Sequence, residues 1–192
     1  NPKGVMQTYG SFGFAAQSLC EKLNYNQKDR FLSFLPLSHA AERFLVLAAA
    51  TYSGAQVFFV ESLDTFSDNL KAARPTIFFA VPRLWQKFQQ KVSAQLSEKK
   101  LNTLVRIPLL KTLIQKKVQK ALGLDCARII ISGSAPISFE LLAWYKKVGL
   151  EINEGYAMTE CMSYGPTFNL PGMVKLGTVG HVSSLPHCKV KI

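Results

Sequence analysis

Six consecutive residues, 155–160, combine a flexible glycine, an aromatic ring, a hydroxyl and a carboxylate. The ring of Tyr156 can stack on a nucleotide base, and the hydroxyl of Thr159 can bond a phosphate oxygen. The Glu160 carboxylate can help to hold Mg²⁺, which keeps most of its waters and also binds phosphates. The segment therefore indicates nucleotide chemistry. A loop with a solvated glutamate and a packed tyrosine is an equally simple interpretation.

A second segment, residues 132–136, has the sequence Ser-Gly-Ser-Ala-Pro. Gly133 and Ala135 allow a flat ligand to approach the backbone closely, and Pro136 fixes the direction in which the chain leaves. The segment lacks the G-x-S-x-G spacing of a nucleophile elbow, so we do not expect an activated serine here. An ordinary turn between a strand and a helix is the alternative interpretation.

Two further positions are candidates for contacts with substrate. His39 follows a short apolar segment, but its neighbour Ser38 should point the opposite way on an extended chain, which disfavours a Ser–His catalytic pair. A structural histidine is the alternative. Near the start of the chain, Lys3-Gly4 is typical of the end of a phosphate-binding loop, although the chain contains no G-x-x-x-x-G-K-[ST] motif.

Alternating helices and strands must position these segments. Helical spacing of apolar residues predicts helices over 9–23, 40–52, 64–73, 82–96, 101–122 and 138–148, with a break at Pro108. Short apolar runs predict strands over 30–37, 56–60, 76–81, 127–132 and 150–153. Strands that are apolar on both faces and separated by helices predict an α/β fold, a parallel sheet covered by helices on both sides. In such sheets ligands bind outside the carboxyl ends of the strands. Residues 36–39, 132–136 and 154–160 lie at these ends.

The composition excludes a disordered or fibrous chain. Of 192 residues, 48% are hydrophobic and 11% aromatic, which is enough for one domain or a large piece of one. The four cysteines, at positions 20, 126, 161 and 188, have no metal-binding or redox spacing. We therefore expect reduced thiols in a cytoplasmic protein. The longest apolar run, 44–60, is too short and too polar to predict a membrane span.

Positive charge is concentrated between Arg83 and Lys120. Ten basic residues and only one acidic residue, Glu98, lie there, so this segment carries nine of the eleven net positive charges of the chain. The segment is predicted to be helical with apolar faces, which is typical of a peripheral contact with an anionic membrane. A solvated helix surface is the alternative. Only two aromatic residues, Trp85 and Phe88, accompany the charges, so we expect no nucleic-acid partner.

Taken together, the motifs resemble those of the adenylate-forming (AMP-binding) superfamily and, within it, the long-chain acyl-CoA synthetases. Six strings occur in the order in which that family carries them. They are Pro2-Lys3-Gly4, Phe34-Leu35-Pro36-Leu37-Ser38-His39, Val81-Pro82-Arg83-Leu84-Trp85, Gly133-Ser134-Ala135-Pro136, Tyr156-Ala157-Met158-Thr159-Glu160 and Gly177-Thr178-Val179-Gly180. Ala157, where the family usually has glycine, and Cys161, where it usually has threonine or serine, depart from the pattern.

The resemblance implies an ATP-dependent acid–thiol ligase that uses ATP, Mg²⁺ and coenzyme A. Its carboxylate substrate, a fatty acid, would attack the α-phosphate of ATP, and the CoA thiol would then take the acyl group from the acyl-adenylate. The resemblance assigns Thr159 and Glu160 to catalysis, with Glu160 on the metal, and places His39 near the acyl carboxylate. It assigns nucleotide contacts to Lys3, Gly133, Ser134, Ala135, Pro136, Glu154, Gly155, Tyr156 and Thr159.

The resemblance also implies a domain organisation. Residues 1–192 correspond to the central part of the large N-terminal domain, with the small C-terminal domain outside the chain, so we expect this piece alone to be inactive. Within the family, a medium-chain or aryl acid ligase is the alternative. Outside it, the alternative is a non-catalytic basic module that binds membranes or nucleic acid.

Overall fold

The fold alternates helices and strands along most of the chain. The computed structural model describes residues 4–165 and 167–182. The helices are α1 (Tyr9–Leu23), α2 (Ala49–Ser53), α3 (Phe66–Ala73), α4 (Pro82–Gln95), α5 (Glu98–Leu104), α6 (Pro108–Leu122) and α7 (Phe139–Lys147), with a π-helical segment (Glu42–Ala48) directly before α2. The strands are β1 (Arg30–Ser33), β2 (Gln56–Phe59), β3 (Ile77–Ala80), β4 (Ile129–Ser132), β5 (Ile152–Tyr156), β6 (Thr167–Phe168) and β7 (His181–Val182).

The strands form two sheets. Strands β1 and β2 pair in parallel, and β3, β4 and β5 form a parallel array to which β6 and β7 are added antiparallel. The Thr76 amide donates a hydrogen bond to the Arg30 carbonyl at 3.0 Å, so the start of β1 lies beside the start of β3. Helices connect the parallel strands, as parallel pairing requires. The prediction of an α/β fold with a parallel sheet is confirmed.

Both faces of the β3–β4–β5 array are covered. Phe78 and Ile130 belong to a buried cluster on one face, to which α3, α4, α6 and α7 contribute. Phe79 and Ile131, one position further along each strand, belong to a cluster on the other face with α1, the π-helical segment and α2. Because successive side chains of a strand point to opposite faces, this alternation places the array between two helical layers.

Two polar contacts inside the core fix α4 against β3 and α7 against α4. The indole Nε1 of Trp85 donates to the Ala80 carbonyl at 3.0 Å, and the Tyr145 hydroxyl donates to the Trp85 carbonyl at 2.6 Å. Both side chains are fully buried. Burial of these polar atoms would be costly without partners, so the two bonds permit large aromatic residues in the middle of the core.

A buried ion pair ties the starts of the strands together. Both Asp29 carboxylate oxygens accept from the Arg128 guanidinium, at 2.9 and 2.6 Å, and Oδ1 also accepts from the Thr76 hydroxyl at 2.7 Å. Oδ2 accepts in addition from the Asn26 amide at 3.0 Å. Residues that precede β1, β3 and β4 are thereby linked at the edge of the sheet opposite to its carboxyl ends.

The structure differs from the sequence-based expectations chiefly at five strands, the first being β1, which ends at Ser33 rather than at residue 37. Strand β2 was expected to be buried on both faces, but Phe58 and Phe59 are exposed because β2 is the outermost strand of its sheet in the described part of the chain. Strand β5 extends to Tyr156 rather than ending at Asn153. The short strands β6 and β7 lie where the sequence pattern indicated only loops.

Candidate functional site

The parallel register brings two of the chemistry-bearing segments together. Ser132 at the end of β4 is paired with Glu154 in β5. Beyond Ser132 the chain turns through Ser134, which has a φ of +66°, an unusual conformation for a residue other than glycine. Such strained residues are concentrated at ligand sites. The loop 133–136 and the last residues of β5 therefore form one edge of the sheet.

Hydrogen bonds of Asn169 bring a third segment, residues 177–180, to the same end of the sheet. The Asn169 amide donates to the Glu154 carbonyl at 2.8 Å, and its side chain donates to the Thr178 carbonyl at 2.5 Å. The side chain of Asn153 donates to the Asn169 carbonyl at 3.0 Å. Because Asn169 is buried and fully engaged, the loop that follows it is folded back so that residues 177–180 reach the end of β5.

Two glycines are required by this close packing. A Cβ atom on Gly165 would overlap the Tyr156 carbonyl oxygen, and one on Gly180 would overlap the backbone of Phe168. Gly180 also has a φ of +91°. Ala157, by contrast, is not among the described residues with positive φ. The alanine at the family's usual glycine position therefore causes no backbone strain.

These segments line a cleft of about 610 Å³. Its walls are residues 132–137, 154–157 and 177–180. The volume lies in the range of small-molecule and cofactor sites. Tyr156 is 52% exposed, so its ring is available for stacking on a ligand. The cleft thus unites three of the motifs that carry the family resemblance.

Two buried polar atoms at the cleft have no partner among the described residues. They are Oγ of Ser132, a residue that is 1% exposed, and Oε2 of Glu154, a residue that is 7% exposed. Burial raises the pKa of Glu154 above its ordinary value. Buried polar atoms are normally hydrogen-bonded, and exceptions are concentrated where a ligand or water completes the structure. Both atoms are therefore candidates for contacts with a bound molecule.

A second, apolar cavity lies next to the cleft and shares residues 132–134 and 155–157 with it. Its volume is only about 70 Å³, and Phe44, Phe79 and Phe168 form much of its wall. Sites for drug-sized ligands usually have about 300–1,000 Å³. A long apolar ligand would need these aromatic side chains to move.

Thr159 and Glu160 line a different and wider cavity of about 930 Å³, together with Gly4, Ser38 and Arg43. The two residues lie in a short 3-10 turn, Thr159–Cys161. The side chain of Gln7 donates to both of their carbonyl oxygens, at 2.8 and 3.0 Å. The segment before α1 therefore fixes the position of the turn.

His39 makes a local structural contact, and it is not among the described residues that line the wide cavity. Its Nδ1 accepts a hydrogen bond from the Ala41 amide at 3.2 Å, so the ring caps the helical segment that follows. Its neighbours Ser38 and Ala40 line the wide cavity. The next acidic residue, Glu42, is 1% exposed and accepts from the Leu35 amide, which fixes the loop between β1 and His39.

The residues around Glu160 are better suited to Mg²⁺, which keeps several water ligands, than to a metal whose ligands all come from the protein. The Glu160 side chain is exposed, and within the described residues its carboxylate takes part in no hydrogen bond or ion pair. No group of three or more His, Cys, Asp or Glu side chains suitable for a metal occurs in residues 4–165 and 167–182. Mg²⁺ is commonly bound through one or two carboxylates together with substrate phosphates.

The predicted site residues thus fall into two neighbouring groups. Residues 133–136 and 154–156 line the cleft, whereas Thr159 and Glu160 line the wide cavity. Lys3 lies outside the described residues. The sequence did not single out Gln7, Arg43 or Asn169. Arg43 follows His39 at helical spacing, which was the one signal available for it.

Fold and cleft define an α/β protein with a nucleotide-sized site at the carboxyl edge of its sheet. Residues 1–192 match the model of the AMP-binding enzyme family, and the chain belongs to this family. It is 33% identical over 99% of its length to long-chain-fatty-acid–CoA ligase 6 of Homo sapiens and spans 30% of that protein. The chain also spans 28% of long-chain-fatty-acid–CoA ligase ACSBG2 of Gallus gallus, at 31% identity over 93% of its own length, and 38% of the putative fatty-acid–CoA ligase fadD11 of Mycobacterium tuberculosis, at 30% identity over its whole length.

Solved structures show the same fold. The chain is 25% identical to the N-terminal domain of FACL13 from Mycobacterium tuberculosis, with a TM-score of 0.66, and covers 40% of that chain and 94% of its own length. It has a TM-score of 0.68 and 24% identity to o-succinylbenzoate CoA synthetase from Bacillus subtilis in complex with an acyl-adenylate intermediate. That match covers 94% of this chain and 32% of the other.

Proposed function

We propose that the chain is the central part of the N-terminal domain of a longer ATP-dependent acid–thiol ligase. The substrate would be a fatty acid, activated as its acyl-adenylate and transferred to coenzyme A. The observation that carries the proposal is the cleft, where residues 133–136, 154–156 and 177–180 meet around unpartnered polar atoms. Family membership and the names of the curated relatives support the reaction class.

In this proposal the cleft holds the nucleotide. Gly133, Ser134, Ala135 and Pro136 would form one wall of the adenine site, with no bulky side chain to keep a flat base from the backbone. Glu154 and Gly155 would contact the edge of the base, and the exposed ring of Tyr156 would stack on the adenosine. Lys3 would contact phosphate.

Catalysis would take place towards the wide cavity. The first half-reaction brings together two anions, a carboxylate and the α-phosphate, so the site must neutralise charge and hold the reactants in line. Thr159 would donate a hydrogen bond to phosphate and Glu160 would hold Mg²⁺, which supplies positive charge at the phosphates when bound. His39 would lie near the carboxylate of the acid, on the loop that Glu42 fixes.

A long-chain fatty acid is the substrate that the relatives' names favour. The acyl chain would enter the apolar cavity beside the cleft, and its small volume means that Phe44, Phe79 and Phe168 would have to open. A medium-chain or aryl acid needs less opening and is the alternative within the family.

The experiment is pyrophosphate release by the intact protein with ATP, CoA and a panel of long-chain, medium-chain and aryl acids. We expect activity that depends on the acid, with the highest kcat/KM for a long-chain acid. Glu160→Gln preserves shape but removes one charge, so it should slow adenylation by about a hundredfold. Absence of acid-dependent pyrophosphate release from a folded, ATP-exposed protein would contradict the proposal.

We further propose that residues 83–120 make a peripheral contact with anionic membrane. All ten basic residues of this segment are exposed, and none forms an ion pair within the described part of the chain. At the start of α6 the apolar residues Leu109 and Leu113 are 78% and 59% exposed beside these charges. Exposed apolar residues among cations are typical of segments that lie in a membrane interface.

Helical spacing predicts an apolar face on α6 formed by Leu110, Leu113, Ile114, Val118 and Ala121, but Leu113 and Ala121 are exposed. The apolar residues therefore form a tip at the start of the helix rather than a stripe along it. Residues 4–165 and 167–182 contain no helix that is long and apolar enough to span a membrane.

Co-sedimentation of the intact protein with neutral and anionic vesicles tests this contact. A basic residue contributes about 1 kcal/mol near an anionic surface, so Lys111, Lys116 and Lys117 changed together to Gln should weaken binding roughly tenfold to a hundredfold at low salt. The control is Lys22, Lys28 and Lys175 changed to Gln, which removes the same charge elsewhere. Leu109→Ser should also weaken binding, whereas Leu63→Ser, at another exposed leucine, should not. Equal binding to both kinds of vesicle would contradict the membrane contact and would mean that residues 83–120 form an ordinary solvated surface.

A further inference from the structure

The wide cavity contains one cation that neither the motifs nor the proposed roles account for. Arg43 lines the cavity together with Gly4, Thr159 and Glu160. Its side chain is exposed, as are those of Thr159 and Glu160. Among the described residues that line this cavity, Arg43 is the only one with a basic side chain and Glu160 the only one with a carboxylate.

The Arg43 side chain is held in place while its outer nitrogens stay available. Its Nε donates to the Leu37 carbonyl at 2.5 Å, which ties it to the loop before His39. Within the described residues neither Nη1 nor Nη2 has a hydrogen-bond partner, and no carboxylate forms an ion pair with the guanidinium. A planar guanidinium with two free NH2 groups binds phosphate oxygens in a bidentate manner.

The surroundings favour a phosphate ligand. Arg43 lies in the first turn of the helical segment that starts after His39, and its amide bonds to the His39 carbonyl at 3.3 Å. Ser38 and Thr159, which carry hydroxyl groups, line the same cavity. An anion held there would meet a guanidinium and hydroxyl donors, and Glu160 could face it only across a metal cation.

We propose that Arg43 binds the β- and γ-phosphates of ATP and stabilises the pyrophosphate leaving group. This inference rests on the proposed ligase function and adds a residue to it. In the adenylation step a carboxylate oxygen forms a bond to the α-phosphorus, and the bond from that phosphorus to the bridging oxygen breaks. The electron pair stays on the leaving pyrophosphate, whose negative charge grows beside the guanidinium.

The test compares ligands that contain the β- and γ-phosphates with one that lacks them. Dissociation constants are measured for Mg·ATP, inorganic pyrophosphate and AMP with the intact protein, for wild type, Arg43→Gln and Arg43→Lys. We expect Arg43→Gln to weaken ATP and pyrophosphate binding by about tenfold to a hundredfold, since hydrogen bonds to charged groups contribute that much. AMP binding should stay within about twofold. Arg43→Lys should recover part of the loss, because it keeps the charge but not the fork.

The matched control is Arg106→Gln, at an exposed arginine outside the cavity, which should leave all three constants unchanged. Equal weakening of AMP and ATP by Arg43→Gln would show a merely structural role and overturn the proposal. A raised KM for the acid with unchanged ATP binding would assign Arg43 to the carboxylate instead and would also overturn it. If wild type binds neither nucleotide, the ligase proposal itself fails.

Discussion

Near the starts of strands β1, β3 and β4, both oxygens of the buried Asp29 carboxylate accept hydrogen bonds. At the carboxyl ends of β4 and β5, by contrast, the buried residues Ser132 and Glu154 each have a polar side-chain atom without a hydrogen-bond partner among the described residues. Asp29 and Ser132 are nearly equally buried, at 3% and 1% exposure. Burial alone therefore does not distinguish the two edges of the sheet.

The difference between the edges lies in how the cost of burial is offset. At Asp29, hydrogen bonds within the chain offset it, and the result is a stable link between distant segments. At the strand ends it is not offset within the described residues, and Ser134 adds an unfavourable backbone conformation. Unsatisfied, strained positions are expected where a protein is built to bind something, because the ligand supplies the missing partners.

The largest expected effect is at Asp29. Burial raises the pKa of Asp29, but hydrogen bonds from Arg128 and Thr76 outweigh it and hold that pKa below its usual range. Asp29→Ala removes one partner of a buried pair, which usually costs about 3–5 kcal/mol. Because the Arg128 side chain is 37% exposed, we expect the lower end, about 3 kcal/mol, in urea unfolding at pH 7.

The pH dependence of this loss follows from the lowered pKa. The stabilisation by ionised Asp29 is present above the unfolded-state pKa, about 3.9, and is lost as the pH falls through the folded-state value. The difference between wild type and Asp29→Ala should therefore shrink below pH 4. Asp68→Ala, at an exposed carboxylate 84% accessible, is the control and should change the free energy of unfolding by less than about 0.5 kcal/mol. A small effect of Asp29→Ala at pH 7 would remove the contrast between the two edges.

Local signals in the sequence predicted most elements well. The bounds of α1 were predicted correctly because the side chain of Thr8 caps its first turn and Asn24 ends it in a left-handed conformation. Pro108 begins α6 and separates it from α5, as expected. The segments at the carboxyl ends of β4 and β5 lie side by side, as parallel topology alone requires.

What the sequence could not predict depends on contacts between distant residues. The Asp29–Arg128 pair joins positions 99 residues apart, and neither residue lies in a motif. Strands β6 and β7 have two residues each, too few to show any periodicity, and they form because β6 pairs with the end of β5 and β7 pairs with β6. Arg43 was overlooked because it lies in a segment whose pattern is that of a buried helix, although its own side chain faces the wide cavity.

A smaller effect, of opposite sign, is expected at Glu154. Burial raises the pKa of this carboxyl, so its contribution to stability is present below its ordinary pKa and is lost as the pH rises through the raised value. Glu154→Gln should therefore be about 0.5–1 kcal/mol more stable than wild type at pH 8 and no more stable at pH 4. The measurement is urea unfolding at both pH values, with Glu61→Gln as an exposed control.

The same Glu154→Gln protein should bind AMP more weakly than wild type, since the proposed edge contact changes from a carboxyl to an amide. A gain in stability together with a loss of affinity is the trade expected at a functional site. Lower stability at pH 8, or an unchanged AMP affinity, would mean that Glu154, like Asp29, has a structural role rather than a ligand-binding one.

The smallest effect on stability, and the most direct comparison, is expected at Ser132. Its hydroxyl is buried and has no partner among the described residues, so Ser132→Ala removes an unsatisfied polar atom and leaves little empty space. We expect the free energy of unfolding to stay within about 0.5 kcal/mol of wild type or to rise slightly, although loss of a satisfied buried hydroxyl would cost about 1 kcal/mol. Affinity for AMP, or for a non-reactive acyl-adenylate analogue, should fall severalfold if the hydroxyl bonds to the ligand. Thr76→Ala is the matched control at the strand starts, where the hydroxyl donates to Asp29, and it should lower stability without changing affinity. If both variants lose stability equally and neither loses affinity, the Ser132 hydroxyl has a structural partner rather than a ligand.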